Sequence, residues 1–165
     1  MKAILAILAV SSIASAGPAP TDPKLAQLVG HWAGGGTFTL GGKPMQITFS
    51  YECARVAIGP AIACSAFSKA KDFAYAENHM FGYDKATDTY HLFSVNDLGE
   101  AYDHAGKWTD LGKVSFQYDA TTADGKPVRE IYTVIAKKDV LVLQGSFTRD
   151  GKVVGQGEYT LKRAP

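Results

Sequence analysis

The sequence predicts an all-β chain closed into an up-and-down antiparallel barrel of about ten strands, preceded by one short helix. Three observations carry that expectation. Short alternating runs recur at a spacing of about 10–12 residues, divided by Gly, Pro, Asn and Asp turn signals, with no long helical period between them. The connections are tight throughout, which favours sequential neighbours over a Greek-key sandwich. The stretch Gly30 to Leu40 places Trp32, Gly34, Gly36, Phe38 and Leu40 on one strand face. A large aromatic followed by glycines on the same face marks a strongly curved opening strand, with room for bulky residues opposite.

The first residues stand apart from the fold. Met1-Lys2 is a minimal basic start, Ala3 to Ile13 is an apolar run too short to span a bilayer, and Ala14-Ser15-Ala16 is a small-x-small cleavage pattern. The expected division is a signal peptide over 1–16, a lead and short helix over 17–29, and the barrel over 30–165. The expected location is outside the cytoplasm, in the periplasm or the medium. Within the lead, Asp22 caps a helix that carries Pro23 in its first turn and Leu25, Leu28 and Val29 as its apolar stripe.

The first strand runs from Trp32 to Leu40, and Gly41-Gly42-Lys43-Pro44 turns it into a second over Met45–Val56. Pairing Leu40 with Met45 sets Gly36 against Phe49, Gly34 against Tyr51 and Trp32 against Cys53, so the glycines make space for aromatics across the hairpin. The next strands are Ala61–Ser68, Phe73–Tyr83, Thr89–Asn96, Ala101–Trp108, Val114–Thr121, Val128–Ala136 and Val140–Arg149. Asp150-Gly151 is a two-residue hairpin signal leading into Val153–Arg163.

Two cysteines in an exported chain are read as one disulfide. Cys53 and Cys64 flank Ala57-Ile58-Gly59-Pro60, and a hairpin centred between Ile58 and Gly59 places them directly opposite each other. No Cys-x-x-Cys pattern argues for a redox role.

Gly30-x-Trp32 after a short helix resembles the opening signature of calycins, the group of lipocalins and fatty-acid-binding proteins. Gly30-x-Trp32-x-Gly34-x-Gly36 is similar to the first strand of nitrobindin-like barrels. Gly82-Tyr83-Asp84, the Asp97/Gly99 turn and the closing Thr160-Leu161-Lys162-Arg163 resemble an uncharacterised bacterial family of lipocalin-like domains. The resemblance implies a ligand-binding barrel in which Arg163 or Lys162 packs over Trp32, a structural cation–π contact. Nitrobindins bind haem through a C-terminal His, and no histidine follows His104 here, so no cofactor is expected.

Seventeen basic residues face sixteen acidic ones, and removing Lys2 with the leader evens them. The charges are scattered, which speaks against nucleic acid as a partner. The sequence after the leader holds no further apolar stretch of membrane-spanning length. There is no phosphate loop, no Gly-x-Ser-x-Gly and no metal-ligand spacing, so no catalytic residue or metal site is assigned.

The expected partner is a small molecule, and the residues set aside for it are Tyr51, His91, Phe93, Tyr102, His104 and Trp108. If Met80, His91, Phe93 and Val95 face inward, pairing Phe93 with His104 makes His91 and His104 diagonal neighbours in the lumen. A one-residue slip turns His91 to solvent and brings Tyr90 and Leu92 inward. Tyr51, Tyr102, Trp108 and Tyr132 either form an aromatic wall or fill a small core. Arg55 is either an anion anchor or a rim residue. The link at Lys69 to Asp72, flanked by Phe67 and Phe73, is either a portal or a docking edge. Three functions stay open: an exported barrel binding an apolar or amphipathic ligand, an enzyme using lumen His and Tyr for acid–base chemistry, and an interaction module with a filled barrel.

Overall fold

The computed structural model describes residues 22–56, 60–109 and 112–165. The expected leader, the lead up to Thr21, residues 57–59 of the turn between the cysteines, and residues 110 and 111 lie outside the described residues. The elements are α1 (Pro23–Ala26), β1 (Gly30–Leu40), β2 (Lys43–Arg55), β3 (Ile62–Ala70), β4 (Phe73–Asp84), β5 (Thr89–Asn96), β6 (Ala101–Thr109), β7 (Lys113–Thr121), β8 (Pro127–Lys137), β9 (Val140–Arg149) and β10 (Lys152–Arg163). Each strand pairs antiparallel with its sequence neighbour, and β10 returns to β1 to close a ten-stranded barrel.

Alternation explains the wall. On β2, Ile47, Tyr51 and Cys53 are buried while Gln46, Thr48, Ser50 and Glu52 are exposed, so the outer surface there is polar and meets water. Among the described residues no helix is long and apolar enough to cross a membrane.

One end of the barrel is sealed. Asp22 caps α1 by accepting hydrogen bonds from the Lys24 and Leu25 amides, and the helix presses Leu25 and Leu28 into the base with no exposed surface left. Trp32 donates its indole N–H to the Leu28 carbonyl at 2.8 Å. The Arg163 guanidinium lies 4.1 Å over the Trp32 ring and donates to the Val29 carbonyl at 2.9 Å. The base of the core is completed by Phe81, Leu92, Val114, Phe116, Leu141, Leu143 and Leu161.

The Cys53–Cys64 disulfide is present, joining paired positions of β2 and β3. Closing a loop of this length stabilises by about 3 kcal/mol in the chain-entropy account.

The hairpin of β1 and β2 departs from expectation by two residues. Leu40 pairs with Lys43, Phe38 with Met45, Gly34 with Phe49 and Trp32 with Tyr51. Gly41 and Gly42, at φ of 54° and 81°, make a two-residue turn where four residues were expected. An even shift leaves every side chain on its expected face. The purpose of the glycines changes as well. A side-chain carbon at Gly34 would run into the Thr160 carbonyl oxygen, and one at Gly36 into that of Glu158. The glycines admit the main chain of β10, not aromatics from β2.

Between β3 and β4 only Lys71 and Asp72 are left as a turn, since Ala70 pairs with Phe73. The link is a tight hairpin and not a portal loop. Arg55 is exposed at the sealed end, away from the mouth.

Candidate functional site

The opposite end of the barrel is open. There the inward positions are Tyr75 and Glu77 on β4, Tyr102 on β6, Tyr118 on β7, Glu130 and Tyr132 on β8, Gly145 on β9, Tyr159 on β10 and Phe49 on β2. All are only partly buried although they point into the barrel, in contrast to the fully buried side chains at the base. A side-chain carbon at Gly145, beside Tyr132, would meet no atom within 4 Å. The lumen has room at this level.

Polar groups crowd that space. His79 is 5% exposed and is held from both sides, its Nδ1 2.7 Å from the Tyr51 hydroxyl and its Nε2 2.9 Å from Glu77 Oε2. A carboxylate only accepts, so in the neutral ring Nε2 carries the proton and Nδ1 accepts from Tyr51. His104, 3% exposed, places Nε2 3.2 Å from Glu130 Oε2, but neither ring nitrogen completes a hydrogen bond. Tyr118 packs against this imidazole at 5.5 Å between ring centres and Tyr102 at 6.0 Å. The buried hydroxyls of Ser94 and Tyr132 are also without a hydrogen-bond partner. Four buried polar atoms on three side chains are therefore unsatisfied and face one space, which is costly unless something fills their valences.

Burial pushes the Glu77 carboxyl up, but the hydrogen bond that His79 donates to it is the main influence the other way, and the group is held below the usual carboxylate range. The tyrosines shift the other way. Burial, then the negative charges of their neighbours, raises Tyr51, Tyr75, Tyr102 and Tyr132 well above an ordinary phenol. Burial pushes Tyr159 up to about 12, and burial with Asp22 does the same for Tyr90. An unfolded chain releases these protons near pH 10 or about that value, while the barrel holds them. The unfolded state then binds fewer protons, so stability falls as pH rises through this window. In an alkaline titration, phenolate absorbance from these six tyrosines is expected to appear together with loss of the barrel's circular dichroism. Smooth ionisation with the dichroism intact would contradict the enclosure described here.

The structure divides the residues expected to line the site. Tyr51, Tyr102 and His104 face the lumen. Trp108 also faces inward, but at the sealed end beside Tyr90, 5.8 Å between ring centres. His91 and Phe93 face outward, because Leu92 and not Phe93 pairs with His104. Phe93 is 47% exposed. His91 stacks on it and reaches Asp103 at 3.0 Å, and both line an outer concavity of about 330 Å³ with Gly82, Tyr83 and Asp84. The His91–His104 pair is therefore not assembled, since the barrel wall separates the two rings. His31 is exposed on the outer wall, 3.7 Å from Glu52.

Sequence reasoning missed Glu77, His79, Ser94 and Glu130. The signal was Tyr75-x-Glu77-x-His79-x-Phe81-x-Tyr83, an inward row in which polar groups hold core positions. On β4 and β5 the usual amphipathicity is inverted. Glu77, His79, Ser94 and Asn96 point in, while Met80, Phe93 and Val95 are exposed. Compared by sequence, the chain matches no protein-family model and no curated protein.

Proposed function

We propose that the protein is an exported calycin-like barrel that takes a small molecule with an apolar body and a polar group through its open end. The observation that carries this reading is the inversion on β4 and β5. Exposing Met80, Phe93 and Val95 while turning Glu77, His79, Ser94 and Asn96 inward works against burial, and such local conflicts concentrate where function needs them. A sealed apolar base below a partly wet polar layer is the form of a ligand pocket. The disulfide supports an oxidising compartment, consistent with a leader over 1–16.

Nile red, a neutral dye that brightens in apolar surroundings, tests the reading on protein recovered from the exported fraction. An intact mass beginning at Gly17 checks the export. The expected result is saturable uptake near one dye per chain, abolished in Gly145→Trp, which fills the open space beside Tyr132. Unsaturable or absent uptake by the folded protein would favour a filled barrel acting as an interaction module.

A further inference from the structure

We propose that the lumen is selective for an organic cation, an amine or ammonium group carried on an aromatic or aliphatic body. This inference rests on the ligand-binding reading above and specifies its chemistry.

The charge distribution comes first. Every lysine and arginine among the described residues is exposed, on the outer wall, in the turns or at the rims. The carboxylates of Glu77 and Glu130 are instead drawn into the open half of the barrel, half-buried. The other half-buried acids have structural duties, Asp22 in capping α1 and Asp84 in holding its turn. An anionic ligand, such as a fatty acid, would find no ammonium or guanidinium of the described residues below the rim and two like charges facing it. Juxtaposed like charges discriminate strongly against a wrong partner.

The unsatisfied atoms point the same way. Ser94 Oγ and Tyr132 Oη have no hydrogen-bond partner and are free to accept, as are the remaining lone pairs of both carboxylates. An ammonium group carries N–H donors and no acceptor, so it complements this set. The walls supply the rest. Tyr102 and Tyr118 pack edge-to-face, 5.1 Å between ring centres, and Tyr132 and Tyr159 add further rings to the same space. Aromatic faces attract cations, most strongly where water is displaced.

The test is calorimetric titration of the exported, disulfide-bonded protein with three probes that share one body: 2-phenylethylamine, 2-phenylethanol and phenylacetate. The amine is expected to bind at least about tenfold more tightly than the alcohol, with phenylacetate weakest. Glu77→Gln with Glu130→Gln should weaken the amine at least about tenfold more than the alcohol, so that the amine's advantage disappears. Should the loss of both carboxylates unfold the barrel, Tyr118→Leu leaves them in place and is expected to weaken the amine more than the alcohol. Equal binding of the three probes, or preference for phenylacetate, overturns the inference. If Nile red uptake is saturable in that case, the ligand-binding reading stands without it. No saturable uptake of any probe removes both.

Discussion

Trp32→Ala is expected to destabilise the barrel by about 3–5 kcal/mol, the usual cost of deleting a large aromatic from a packed core. Trp32 is 1% exposed, and its loss removes more than packing. The Leu28 carbonyl loses its indole donor, and the Arg163 guanidinium loses the ring beneath it. Leu25 and Leu28 would then cover a cavity, so α1 should loosen with the base. Urea unfolding followed by circular dichroism measures the effect, and Trp32→Phe, which keeps a ring under Arg163, should recover a large part of it. A Trp32→Ala variant within about 1 kcal/mol of the parent would mean that the helix end is not the anchor of the fold.

Gly36→Val should prevent folding altogether, at a cost above about 4 kcal/mol. The added atoms would occupy the place of the Glu158 carbonyl oxygen, which is main chain and has no rotamer to adopt. Relief requires β1 and β10 to separate, and that pairing is the one that closes the barrel. Gly145→Ala is the matched control. It also adds a carbon to an inward strand position, but in open space. It should be neutral or stabilising by up to about 1 kcal/mol, through a stiffer unfolded chain. Recovery of soluble protein and its melting curve distinguish the two, and equal behaviour would refute the account of the β1 glycines.

These two variants separate what the sequence made legible from what it concealed. Strand positions, barrel closure and the disulfide were readable because alternation, turn residues and cysteine spacing are local signals. The Gly41-Gly42 turn was readable as a turn but not in its length, which moved the register by two residues and left the faces intact. On β5 the error was one of face. Phe93 and Val95 alternate with Ser94 and Asn96, and the rule that apolar residues point inward assigns them the wrong way round. The rule fails there because the lumen beside β5 is lined by Glu77 and His79 rather than by a core. No local pattern within β5 records what the other strands contribute to the same space. Trp32 could be placed from the sequence, whereas His79 needed the assembled barrel.

The seal at the base has a consequence for the order of folding. Val29 and Arg163, which it joins, lie 134 residues apart. On a growing chain β1 has one free edge until β10 is complete, and long-range closure of this kind is slow and leaves strand edges open to mispairing. Docking of β10 is the step that ends that exposure. The chain would thus stay vulnerable to proteolysis and aggregation until β10 has docked.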